Sequence, residues 1–142
     1  IEKEDNVIPS SNGVMASNLH ALSFFTGNTA YSEQAEEMLQ HMQNDLTRYP
    51  EGYTQWGQLL LNLTYPSYEV AVTGKGSGEK LMAFRRNKYY PNVLWAFADS
   101  ENSVDLLQDR WIGGTYIFVC QNQSCQMPVE EVEKAIELIK YD

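Results

Sequence analysis

A chain of 142 residues, 43% of them apolar, carries the hydrophobic material for one ordinary domain, or for one compact unit with a helical appendage, rather than for two separate domains. Nineteen acidic residues against ten basic ones give a formal charge of -9 and a pI near 4.6, which argues against nucleic-acid binding because phosphate contacts need a clustered Lys/Arg surface. No apolar run approaches the roughly 20 residues needed to cross a bilayer, and no charged segment leads into an apolar one at the start, so a soluble, cytoplasmic protein is expected.

After the polar lead IEKEDNV, the segment IPSSNGVMASNLHALSFFTGN predicts a helix entered at Pro9 and the serines and closed at Gly27. Its apolar stripe is Met15, Leu19, Leu22 and Phe25. The next segment, YSEQAEEMLQHMQNDLTRYP, predicts a single helix ending at Pro50, with Ala35, Met38, Leu39, Met42 and Leu46 on one face. Glu33, Glu36 and Glu37 load its first turns, where the helix dipole favours acids. The short link TGNTAY makes the two an αα-hairpin, and a third helix follows over YTQWGQLLLNL.

From Tyr68 the periodicity changes. YEVAVTG alternates and is β-branched; GSGEKLMAFRRNKYY predicts a helix; VLWAFA and TYIFVC are continuously apolar strands; SVDLLQ is a short helix between them; and PVEEVEKAIELIKY is an amphipathic helix entered through Pro128. Strands apolar on every residue suit burial on both faces, so a small three-stranded parallel sheet with β-α-β-α-β-α order and right-handed crossovers is expected. The fold class is therefore α/β, with a helical segment over 1–66, an α/β segment over 67–142, and the helices packed on or beside the sheet.

A parallel sheet brings all its strand ends to one edge, where ligands of open α/β sheets bind. Three segments are then expected to meet: the Gly-rich turn with Lys75 and Ser77, Asp99 after the second strand, and Cys120 after the third. The turn is able to offer backbone N–H groups and Lys75 to an anion, but it lacks the GxxxxGK[ST] spacing and reads first as an ordinary turn. Asp99 is equally suited to cap the helix that follows it.

Cys120 and Cys125, the only cysteines, leave three readings open. They serve as reduced packing residues, as a local redox pair, or as metal ligands. Packing is the expectation, with no metal and no cofactor. A zinc site needs about four ligands, and the two histidines, His20 and His41, lie far away on the helical hairpin. Lys75, Lys80, Arg85, Arg86 and Lys88 read as a solvated helix face whose neighbours Phe84, Tyr89 and Tyr90 serve the core. The sequons at Asn62 and Asn122 are short enough to arise by chance.

Three blocks carry a resemblance to a known family: VCQNQSCQMPV before the closing helix, IPSSNGVMASNLHALSFFTGN, and RYPEGYTQWGQLLLNL. Together they resemble the C-terminal part of YyaL-like proteins, the thioredoxin-domain proteins related to the spermatogenesis-associated one of animals. That resemblance implies a parent with a thioredoxin-like domain, an (α/α) barrel similar to six-hairpin glycosidases and N-acylglucosamine 2-epimerases, and a C-terminal α/β segment. The chain would be the last barrel helices plus that segment, and its partners would be the missing barrel and thioredoxin-like domains, with self-association in their absence. Two functions follow as expectations. One is a structural and interaction module without its own catalysis; the other is part of a carbohydrate-acting or redox-linked enzyme, whose site takes either Ser10, Ser11 and Asn12 lining the barrel or the edge at Asp99 and Cys120.

Overall fold

The computed structural model describes every residue except Ile1, Pro66, Asn102, Ser103, Gln123, Tyr141 and Asp142. Pro66 at the expected segment boundary, Ser103 in the expected short helix, Gln123 in the second sequon and Tyr141 in the closing helix therefore lie outside the described residues. The chain divides into two compact units, residues 1–65 and 66–142.

The first unit is helical: α1 (Ser11–Thr26), α2 (Thr29–Gln40), α3 (Gln43–Arg48), a 3-10 turn (Pro50–Tyr53) and α4 (Thr54–Thr64). Ser10 starts α1 by accepting the Gly13 N–H at 3.2 Å, and Gly27 ends it in the left-handed region at φ 64°. Asn28 caps α2 through the Ala30 N–H at 3.1 Å. The single helix expected over 31–50 is two, because the chain turns at His41–Met42 and takes Met42 into the core with Ala16, Leu39, Trp56 and Leu59.

The buried face of α1 is Gly13, Ala16 and His20, whereas Met15 and Leu22 of the expected stripe are exposed. Small residues win this face because α4 approaches closely: a Cβ on Gly13 would fall 2.8 Å from Cγ of Gln55. The polar lead is bound into the unit through Asp5. Its carboxylate accepts the Ser10 N–H at 2.8 Å, the Thr54 hydroxyl at 2.9 Å and the Gln55 N–H at 2.8 Å, and so serves the starts of α1 and α4 together.

The second unit runs β1 (Tyr68–Thr73), α5 (Ser77–Asn87), β2 (Val93–Ala98), a 3-10 turn (Asp105–Leu107), β3 (Tyr116–Gln121), β4 (Ser124–Cys125) and α6 (Val132–Leu138). The sheet order is β2-β1-β3-β4. β1 and β2 are parallel around α5, as expected, with Val70 opposite Trp95. β3 is antiparallel to β1, with Thr73 opposite Tyr116 and Tyr68 opposite Gln121. The three-stranded parallel unit is thus corrected to a mixed four-stranded sheet.

The reason lies in the connection between β2 and β3. A parallel return must carry the chain back along the full strand length, usually in a helix. Here the described residues of 99–115 hold only the three-residue 3-10 turn, which packs over β1 and β2 and delivers the chain to the near end of β3.

Val70, Val72, Ile117 and Val119 face α5 and α6 and close a core with Leu81, Phe84, Ala135 and Ile139. Phe84, Tyr90 and Trp95 stack edge-to-face with centroids 5.1–5.5 Å apart. Arg85 lies 6.0 Å over Trp95 and Lys88 5.2 Å over Tyr90, so part of the basic cluster lines aromatic faces, whereas Tyr89 is exposed rather than part of the core. The opposite sheet face presents Glu69, Ala71 and Thr73 beneath the buried Leu106 and Leu107. The closing helix begins at Val132, not at Pro128, because Val129 is taken up in a bridge to Ile117, with N–H···O distances of 2.7 and 3.0 Å.

Candidate functional site

The turn after β1 is built on positive-φ backbone that favours glycine and, at Gly74, requires it. Gly74 has φ 113°, and a Cβ there would collide with the Gly114 carbonyl; Gly76 has φ 78°. The turn delivers Ser77, wholly buried, to Asp99 at the end of the neighbouring β2. The Ser77 N–H and hydroxyl donate to one Asp99 oxygen at 2.9 and 2.8 Å. The Ser77 hydroxyl foremost holds the Asp99 carboxyl below its usual range; burial opposes this, and the N–H groups of Ser77, Gly76 and Gly78 reinforce it.

The anion at the start of α5 is therefore supplied by the chain itself. Asp99 is a cap, as the sequence allowed, but for the helix that precedes it rather than one that follows. Lys75 points to solvent while its carbonyl accepts the Thr115 hydroxyl at 2.8 Å. Lys80 donates to the carbonyls of Thr115 at 3.2 Å and Glu130 at 2.6 Å. Each of these contacts joins one chain segment to another, so this edge works as a latch.

The structure brings Lys75, Ser77 and Asp99 together but places Cys120 and Cys125 at the other end of the sheet. The antiparallel course of β3 causes this separation: Cys120 stands opposite Glu69, at the start of β1. The cysteines are not free packing residues. They form a disulfide across the β3–β4 hairpin, with Cα atoms 3.9 Å apart. Cys120 is 1% exposed, whereas Cys125 is exposed.

Glu69, Cys120 and Cys125 form one cross-strand row on the face away from α5 and α6. Arg110 lies over that row. Its backbone carbonyl is fixed by the Thr73 hydroxyl at 2.6 Å, and Nη2 reaches Glu69 at 3.5 Å and the Cys125 sulfur at 3.7 Å. Arg110 Nη1 is buried with no hydrogen-bond partner among the described residues. A guanidinium so placed lowers the energy of negative charge on the sulfur. Sequence reasoning missed both Glu69 and Arg110. A usable signal was present in YEVAVT, where Glu69, Ala71 and Thr73 alternate with valines and mark a small, polar-tolerant face.

In the helical unit, Ser10 is buried as a cap and Ser11 is exposed. Asn12 donates to the Glu2 carbonyl at 2.7 Å and lines a cavity of about 300 Å³ with Lys3, Met38, His41, Met42 and Trp56. Burial pushes the Asp5 carboxyl up, but hydrogen bonds from Gln55, Ser10 and Thr54 outweigh it and hold the group below its usual range. His20 is pushed down by burial, against the opposing charge of Glu36. The described residues contain no group of three or more His, Cys, Asp or Glu placed to hold a metal ion, and no helix among them is long and apolar enough to cross a membrane. Comparison of the chain with protein-family models, with curated proteins and with solved structures finds no match.

Proposed function

We propose that this chain is the C-terminal structural and interaction segment of a YyaL-like, thioredoxin-domain-containing parent, and that it acts by docking rather than by catalysis of its own. The observation that carries this reading is the apolar surface of the helical unit. Met15 and Leu22, two turns apart on α1, are 54% and 44% exposed, and Leu60 and Leu61 on α4 are 43% and 58% exposed. Helices at the closing seam of an (α/α) barrel require such residues, because each packs on a neighbour from another hairpin. The missing barrel and thioredoxin-like domains are the partners this reading assigns, in the cytoplasm.

The carbohydrate-acting alternative requires Ser10, Ser11 and Asn12 to face a common space. Ser10 is committed to its cap, Ser11 is exposed and Asn12 lines the cavity with Met38 and Trp56, which favours docking.

The test is light scattering with a hydrophobic-dye titration on the intact chain. Self-association is expected, and Met15→Glu with Leu22→Glu should abolish it while leaving the melting temperature unchanged. A wild-type monomer that binds no dye overturns the reading. So does glycosidase or epimerase turnover on the order of 1–10³ per second.

A further inference from the structure

We propose that Cys120 and Cys125 form a thiol–disulfide exchange site that accepts electrons from a dithiol, with Cys125 as the attacked sulfur and Arg110 as the cation that keeps it ionised after release. The inference stands independently of the docking reading above.

Three observations carry it. The disulfide spans a sequence separation of only 5, across a hairpin already closed by strand pairing and by the Gln126 N–H donating to the Val119 carbonyl at 2.9 Å. So short a loop leaves little chain entropy for a cross-link to remove, which makes a purely stabilising role a weak one. The two sulfurs are also unequal: Cys120 is enclosed and Cys125 belongs to an exposed residue. An incoming thiolate therefore meets Cys125, and exposed disulfides are the ones that exchange.

The third observation is the guanidinium. Arg110 Nη2 sits 3.7 Å from the Cys125 sulfur, on a residue anchored by Thr73 and with a buried Nη1 that has no hydrogen-bond partner among the described residues. The guanidinium pairs with the buried Glu69, and its second contact, the Cys125 sulfur, puts the same cation where a leaving thiolate gains from it. Glu69 on β1 shares the same guanidinium at 3.5 Å and moderates its effect. Lys140, beyond α6, lines a groove of about 390 Å³ with Cys120, Gln121 and Ser124.

One thiol of the dithiol loses its proton to solvent and attacks the Cys125 sulfur. The bond to Cys120 breaks, its electron pair stays on the Cys120 sulfur, and that sulfur takes up a proton. The second thiol of the dithiol, losing its proton, attacks its own sulfur in the mixed disulfide, and Cys125 leaves as a thiolate beside Arg110. Two electrons have passed to the pair, and the dithiol has become a disulfide. The substrate class is thus a dithiol whose two sulfurs close on each other.

The test titrates the intact chain with dithiothreitol and, separately, with reduced glutathione, locating adducts by mass spectrometry while circular dichroism follows the fold. Reduction without unfolding is expected, with the glutathione adduct on Cys125. In the reduced chain, Arg110→Gln should slow Cys125 alkylation at neutral pH about tenfold, the effect of raising a thiol pKa by one unit, and Arg110→Lys should retain most of the rate. Glu69→Gln should speed alkylation, which separates electrostatics from a loss of folding. A disulfide that opens only in denaturant, an adduct on Cys120, or a Cys125 rate indifferent to both charge changes overturns the proposal.

Discussion

The two ends of β1 use similar residue types to opposite effect. At its carboxyl end an acid, a hydroxyl and a helix start close on one another, and Asp99 fills the position a bound anion would take. At its amino end an acid, a cation and a disulfide stand in one row, with one cysteine exposed and one guanidinium nitrogen unpartnered among the described residues. Residue type alone does not separate these outcomes. What separates them is whether the local geometry already satisfies each group, since polar groups that pair internally gain stability and lose availability.

The contrast breaks most readily at the latch. Gly74→Val forces a side chain into backbone at φ 113° and against the Gly114 carbonyl, so a loss of about 2–4 kcal/mol is expected from urea unfolding. At the other end, Cys125→Ala removes only a short-range cross-link. Its expected cost is about 2 kcal/mol or less, and a larger loss would mark that end as structural too.

A smaller effect should appear with pH. Because Asp99 is held below the usual carboxylate value of 3.8, its contribution is complete above that value and is lost as pH falls through it and then through the lower folded value. Asp99→Asn should flatten the acid limb of urea midpoints measured against pH. The smallest effect belongs to His20, whose lowered pKa means that stability is complete above 6.5 and declines as pH falls below it. Its ring-proton NMR titration should therefore have a midpoint under 6.5.

Much of the second unit was legible from periodicity. YEVAVT and VLWAFA are strands, TYIFVC is one shifted by a residue to Tyr116–Gln121, and the helix between the first two occupies Ser77–Asn87 of its expected segment. Strand direction was not legible, because an apolar run reads the same whichever way it enters a sheet. That one ambiguity moved Cys120 from beside Asp99 to beside Glu69 and removed it from the expected edge. In the helical unit, the stripe of Met15 and Leu22 outweighed Gly13 and Ala16 on any hydrophobicity scale. Close helix approach nevertheless favoured the small residues, a steric fact that composition does not carry.

The central position of β1 also fixes an order of events during synthesis. Within the second unit, β1, α5 and β2 are synthesised before β3, so the parallel pair is complete in sequence while its second neighbour is still to come. Until β3 arrives, the second edge of β1 has no strand to pair with, and its run of Val70, Ala71 and Val72 is open to pairing with another chain. The nascent chain therefore passes through a sticky interval that ends only when residues 116–121 leave the ribosome. A chain cut after Thr115 keeps that edge open and should therefore give a lower soluble yield than the full chain.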